Sequence, residues 1–458
     1  MAGAFQGIST MNSALRAFQR ALDVTGHNIT NVNTAGYSRQ SVQFNDFDPS
    51  KFGEGGRFIV GTGVTAASVS RIQDQFLFMR QAEAMSEDGR LSSLHGGLSG
   101  VQSVMQEPGG ASVGDALNKL FNAFSALGSN PGDAALRNQV QQAGQTLSSR
   151  IRGMYSNLDE QSKFTQTLIK STLGQAQDLA NSIATMNGEI RSATANGQTP
   201  SDLMDMRDEA VRQLSTIMPV TIYPQPDGGV SLFSGQLTLV DSEGAETIPT
   251  TFNAAAGTLS DGTNTYPVSS GSLAGLFQTS QKIAGYQQQL DSFANSLRTE
   301  FNSVHMTGTN GLGATGVKFF NDSAPQSGAI DFDLDPAILA DARAIATGVS
   351  GNPGDGGLAL SMSALRDSSV AALGGKTFTS FYANLVSSVG QDVATTEGML
   401  DTSSAILGQI SEQVQSVSGV SLDEEMSNML RFQRSYQAAA KALSILDQTT
   451  EDLMNIIR

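Results

Sequence analysis

Two tracts of heptad-spaced apolar residues, one at each end of the chain, constrain its fold more than anything between them. Near the start, Ile8, Met11, Leu15, Phe18, Leu22, Thr25 and Ile29 are spaced 3, 4, 3, 4, 3 and 4 apart. That is the a/d seam of a single helix, with only Thr25 off pattern. Near the end, Leu422, Met426, Met429, Tyr436, Ala440 and Leu443 obey the same rule, skipping Gln433. After a phase slip, Leu446, Thr450, Leu453 and Ile457 resume it. Such a helix cannot bury its stripe alone, so each needs a partner helix. Apolar residues at helical spacing are usually ordinary core. Chain ends carry them less often, because ordering an end costs entropy that packing must recover. Both seams therefore read as assembly surfaces.

The segment after the first helix reads as a stop. In Asn28-Ile-Thr-Asn31-Val-Asn33-Thr-Ala-Gly36-Tyr37-Ser38-Arg39-Gln40, Asn and Gly tolerate left-handed backbone angles. The Asn and Thr side chains also compete for backbone hydrogen bonds. These residues, with Asn28, Asn31, Asn33, Gly36, Tyr37 and Arg39 as the signature, resemble the N-terminal motif of bacterial flagellar rod, hook and hook-associated proteins. Within that superfamily Gly36-Tyr37-Ser38-Arg39-Gln40 is similar to the hook-associated protein 1 family, the hook–filament junction proteins. Rod and hook proteins more often carry Gly-Phe-Lys there. Ser416 to Met426 and Arg431 to Ala440 resemble the same family at the other end. So do Leu203 to Asp208, Gly271 to Leu276, Phe301 to Gly308 and Thr377 to Val386 between them. One departure stands out: some members carry a further insertion after Lys318-Phe-Phe320, whereas here the chain passes quickly to Asp331-Phe-Asp-Leu-Asp335.

Bulk properties narrow the classes. At 458 residues two or three domains are expected. A net charge of −16 argues against nucleic acid or anionic membrane as partner. No apolar run is long enough to span a bilayer, and no secretory leader is visible at the start. Cysteine is absent, which excludes disulfides, thiolate metal sites and cysteine nucleophiles.

Along the chain, Tyr37 to Phe44, Arg57 to Val60 and Val64 to Ser70 are strand-like. Helical period starts at Phe76, with Leu91, Leu94, Leu98, Val101 and Met105 on one seam before Pro108-Gly109-Gly110. Ser112 to Asp115 fits a capping box for a short helix stopped at Gly128. From Asp133, Leu136, Val140, Ala143, Leu147, Ile151, Met154 and Leu158 lead on to Ile190, with Asn196-Gly197 as the stop. Unbroken, that tract would run roughly 90 Å; Gly153 and Gly174 are where it could break. A further helix runs from Pro200 to Leu214, and residues 217–270 read as a β module around the Asp227-Gly228-Gly229 turn. Helix returns from Leu273 to Val304, 307–356 reads as Gly- and Asp-rich connection, and helices follow over 357–371 and 378–417.

The expected fold is therefore mainly α, elongated, with a β-rich insertion and terminal coiled-coil helices. The expected domains are 1–75 with 408–458 as a terminal assembly unit, 76–216 with 271–407 as a helical rod, and 217–270 as an outer β module.

Catalytic chemistry finds little to work with. His27, His95 and His305 sit in no nucleophile elbow or paired-ligand spacing, and His27 and His305 lie where imidazole can bond helix-end carbonyls. Asp331-x-Asp333-x-Asp335 opens like a calcium loop but has Pro336 and Ala342 where glycine and glutamate belong. Gly61-x-Gly63-x-x-Ala66 imitates a dinucleotide loop, yet a strand follows where phosphate binding needs a helix. No enzyme, cofactor or metal is expected.

The resemblance implies a structural adaptor between hook and filament, with termini packed as coiled-coil layers in a ring or helical self-assembly. It implies as partners the hook protein, the second junction protein and a cytoplasmic export chaperone. It also implies an extracellular place in the flagellum, reached without a cleaved signal. The alternatives are hook-associated protein 3, a hook or rod protein, or a flagellum-exported adhesin or enzyme.

Overall fold

The computed structural model describes residues 2–46, 50–52, 58–60, 63–105, 112–323 and 328–457. Pro108-Gly109-Gly110, and the Gly61 and Thr62 positions of the glycine loop, lie outside them. Helix α1 (Ala2–Thr30) leads into an antiparallel hairpin of β1 (Gln40–Asp46) and β4 (Val64–Arg71), with β2 (Ser50–Phe52) pairing β3 (Phe58–Val60) between them. The register runs from Gln40 opposite Arg71 to Asp46 opposite Val64, with a bulge at Gln43–Phe44.

Next come α2 (Gln75–Met105), α3 (Val113–Ser129) and α4 (Ala134–Ala195). Ser112 caps α3 by accepting the Asp115 N–H. The helix runs one residue past Gly128, because that glycine's bare face lets the Gly356 backbone and Leu360 pack against it. Asp133 caps α4, which continues for 62 residues without a break. Gly153 and Gly174 face open space, and the opposite face buries Ile151, Met154, Leu158, Ile169, Leu173 and Ala176 without interruption. Two glycines cost about 1 kcal/mol each in a helix, which that burial offsets.

After α5 (Ser201–Ile217), strands β5 (Thr221–Pro224), β6 (Val230–Ser234) and β7 (Leu237–Val240) form one three-stranded antiparallel sheet. Strands β8 (Thr251–Asn253), β9 (Thr258–Ser260) and β10 (Thr265–Pro267) form another. Helix α6 (Gly271–His305), β11 (Thr309–Asn310), α7 (Pro336–Ala340), β12 (Ala346–Gly348), α8 (Gly357–Ala364), α9 (Phe378–Ser418) and α10 (Leu422–Ile457) complete the chain. Helix α8 is shorter than its period suggests. Beyond it, Val370 bridges to Lys376 across Gly374 and Gly375, both in the left-handed region.

Among the described residues, two hydrophobic clusters hold the molecule. One gathers α3 and α8 with the second half of α2, the first halves of α4 and α9 and α6 from Ile283 onward. The other gathers α5 and both small sheets with the start of α2, the second half of α4 and the start of α6. The segment expected to be mere connection is part of the first core, through Phe319, Phe320, Phe332, Leu334, Ile338 and Ile345. Its irregular backbone is satisfied by α6: Asn302 Oδ1 accepts the N–H groups of Phe319 and Phe320, and Asn302 Nδ2 donates to the Phe320 carbonyl. His305 donates from Nδ1 to Val317 O and accepts the Ala346 N–H at Nε2. Of the three aspartates in the calcium-like run, Asp335 caps α7, Asp333 pairs with Arg152 and Asp331 with Arg298.

Candidate functional site: the paired termini and their joint with the rod

Helices α1 and α10 run antiparallel and pack on each other, with Asn28 beside Glu425 at one end and Gly7 against Leu446 at the other. On α1, Ala17, Ala21, Thr25 and Asn28 are buried in the crevice between α10 and the hairpin. The seam residues Ile8, Met11, Leu15, Phe18, Leu22 and Ile29 lie beside them, half-buried. Phe18 meets Phe44 of the hairpin, which meets Phe432 of α10 in turn.

On α10 the phase differs from the sequence reading. The covered face carries Glu425, Phe432, Ala439, Leu446 and Thr450, a seam that needs no slip. Met429, Ala440 and Leu443 lie along its edge, half-buried. Leu422, Met426 and Tyr436 are exposed, and Leu430 joins them. At 3.6 residues per turn, Leu422 and Tyr436 sit just beside the covered face, Met426 about a quarter turn from it, and Leu430 farther round still. The cause is Glu425: a carboxylate occupies the facing position because Arg39 and Asn28 satisfy it there. The helix covers Leu453 and Ile457, whose side chains lie outside the described residues.

Below the pair, the signature residues build a polar hub. The Asn31 N–H and Nδ2 both return to the His27 carbonyl and close the last turn of α1. Gly36 has φ +78°, and a Cβ there would lie 2.8 Å from Arg212 and 3.1 Å from Glu209, so only glycine fits. Tyr37 donates to Asn28 Oδ1 at 2.7 Å. Asn28, 1% exposed, also accepts the Gln40 N–H at 3.0 Å and donates to Gln40 O at 2.9 Å and Glu425 at 3.1 Å. Arg39 donates to Glu425 and Glu424, at 2.8 Å each. Asn33 is exposed and has no such role among these bonds. His27 faces the Tyr37 hydroxyl at 3.1 Å rather than a helix-end carbonyl.

The hub docks onto α5. The Ser38 N–H donates to Asp205, Gln40 Nε2 to Asp202, and Arg71 to both Asp205 and Asp208. Burial pushes the Asp205 carboxyl above its ordinary range, against the pull of Ser38 and Arg71. Burial also opposes ionisation of Asp208, but Arg207 and Arg71 outweigh it and hold that carboxyl below the usual range. Desolvation, reinforced by Asp202, Asp205 and Glu425, raises the Tyr37 hydroxyl, which stays a neutral donor.

Glu425, Arg71, Asp205 and Asp208 escape a reading of the sequence, although all but Arg71 fall in segments resembling the family. Their spacing carries no periodic signal; only the fold brings them together. Among the described residues no group of histidines and carboxylates is placed to hold a metal, and no helix is long and apolar enough to cross a membrane.

Comparison with known proteins agrees with this geometry. Residues 98–320 match the family model of the flagellar hook-associated protein FlgK helical domain. Residues 8–37 match that of flagella basal body rod proteins, and 412–456 that of the flagellar basal body rod FlgEFG protein C-terminal region. Flagellar hook-associated protein 1 of Bacillus subtilis (strain 168) is 26% identical over 506 aligned positions, covering 99% of each chain. Its Salmonella typhimurium counterpart is 25% identical over 548, covering 97% of this chain and 98% of its own. Both alignments exceed 458 positions, so these relatives carry stretches that this chain lacks. The flagellar hook junction protein FlgK of Burkholderia pseudomallei has the same fold, with a TM-score of 0.64 at 15% identity over 74% of this chain and all of that one.

Paired terminal helices on a rod of long helices, with terminal segments of the rod-protein type, define a structural axial component of the bacterial flagellum. Within that class it is similar along nearly its whole length to flagellar hook-associated protein 1 of Bacillus subtilis and Salmonella typhimurium. These relatives are structural proteins of an extracellular organelle.

Proposed function

We propose that this chain joins hook to filament, as a subunit of a ring or helical layer whose contacts are made by α1 and α10. The observation that supports it most is the apolar edge of α10. Leu422, Met426 and Leu430 are each about half exposed although α1 already covers the neighbouring face. Burying the rest of each side chain is worth about 1 kcal/mol, repeated in every subunit of a closed layer. The seam residues of both helices are the proposed interface. The terminal unit, the rod and the β module keep the boundaries 1–75 with 408–458, 76–216 with 271–407, and 217–270.

The proposed partners are further copies of the chain, the hook protein and the second junction protein. A cytoplasmic chaperone would cover the termini before export without a cleaved signal. Nucleic acid and membrane have no place in this reading, and neither does catalysis.

A clean deletion viewed by electron microscopy tests it. The expected cells build hooks, hold no filaments and release unpolymerised flagellin into the medium. Normal filaments and motility would end the junction reading. Absent hooks would move the chain to the rod or the hook itself.

A further inference from the structure

The joint between the terminal pair and the rod is built differently from the rest of the molecule. Among the described residues, neither hydrophobic cluster contains anything before Phe78 or after Val393. Charged groups lace the joint instead, beside the backbone bond from the Arg39 N–H to the Ser418 carbonyl. From α10, Glu425 holds Arg39 at 2.8 Å. The adjoining Ser38 N–H reaches Asp205 at 3.0 Å, and Asp205 holds Arg71 at 2.7 Å. Arg71 reaches Asp208 at 2.9 Å, Asp208 holds Arg207 at 2.7 Å, and Arg207 donates to Gly228 O at 2.7 Å in the turn before β6. Arg71, Arg207, Asp205, Asp208 and Glu425 all have side chains no more than 12% exposed.

Joined through the Ser38–Arg39 backbone, these bonds form a relay from the terminal helices to the β module. Apolar contact is non-directional and permits small sliding. Charge-assisted hydrogen bonds fix distance and angle, and opening one leaves a buried charge without its partner. A joint of this kind has a locked state and an open state with little between them.

We infer that the relay from Glu425 through Arg39, Asp205, Arg71 and Asp208 to Arg207 is a conformational latch. It sets the angle between the terminal helix pair and the rod, and it couples that angle to the position of the β module. A subunit fitted between two different lattices would change this angle by opening the latch, leaving both cores intact.

The absence of cysteine makes a direct test clean. Spin labels on Lys441→Cys in α10 and Thr263→Cys beside β9, both exposed positions, report the distance between terminal pair and β module in the unassembled full chain. The parent should give one narrow distance. Arg71→Met and Glu425→Gln should each split that distribution or broaden it about two-fold, with the thermal melt of the rod unchanged in Glu425→Gln. Distances as narrow and as long as the parent's in both variants would overturn the latch. Should Arg71→Met fail to fold, Glu425→Gln decides alone, because Glu425 lies outside both cores. The measurement precedes assembly, so its failure and that of the junction reading are separate results.

Discussion

Asn28 carries more of this molecule than its size suggests. Its amide joins the helix it ends, the loop that follows, Tyr37 and the far end of the chain at Glu425. Replacing it with alanine strands a buried carboxylate oxygen and the backbone N–H of Gln40. Such losses cost about 3 kcal/mol together, so Asn28→Ala should speed amide exchange in α1 and α10 by roughly 100-fold. Exchange in α4 should not change; equal acceleration there would mean that the hub supports the rod as well. His305 makes a prediction of its own. Burial holds its imidazole down to about 4, against the opposing effects of its bond to Val317 and of Asp335. The unfolded chain therefore binds more protons between pH 4 and the ordinary value of 6.5, and stability falls as pH drops through that window. The loss is on the order of 3 kcal/mol by pH 4. In His305→Gln, chemical denaturation over that range should show a slope shallower by about one proton.

At the scale of elements, the terminal helices are amphipathic twice over. One face of each packs inside the chain, and an apolar edge beside it stays open. A charge placed in a packed layer must be desolvated without a partner, at a cost of several kcal/mol. Phe18→Asp and Leu443→Asp are both half-buried in the pair, so they should weaken it and block assembly, leaving bare hooks. Met426→Asp is the sharper test, because Met426 is 55% exposed in the single chain. It should leave the isolated protein unchanged by circular dichroism and still prevent filament retention. Gln19→Ala and Lys441→Ala, on exposed outer faces, are the expected mild controls. If Met426→Asp assembles like these controls, the apolar edge of α10 is not a joining surface.

Across the whole molecule, the two cores share α2, α4 and α6, so neither can open without exposing the other. The rod should melt in one transition. Among the described residues, the terminal pair buries little beyond Ala17, Ala21 and Ala439 as apolar side chains and adds nothing to either core. It should loosen first. Limited proteolysis is expected to trim roughly residues 1–40 and 420–458 and leave the rod intact, because locally open ends are cut before packed ones. Protection of both ends equal to that of Leu136–Leu158 in hydrogen exchange would show a terminal pair as stable as the rod.

The sequence by itself determined whatever is periodic or local. The seam of α1, the capping residues Ser112 and Asp133, the long tract to Asn196 and the Asp227-Gly228 turn are legible because helix and turn chemistry acts within a few residues. The uninterrupted course of α4 past Gly153 and Gly174 is a tertiary decision: two cores stacked along one face hold it straight. The same is true of Phe319, Phe320 and Phe332, which have no period and become core only because Asn302 and His305 satisfy the backbone around them. The facing side of α10 was also decided in three dimensions. Read alone, Glu425 belongs to solvent, and Leu422 and Met426 to the seam. Arg39 and Asn28, nearly 400 residues away in the chain, reverse that choice by pairing a buried carboxylate, and so turn an apolar edge outward.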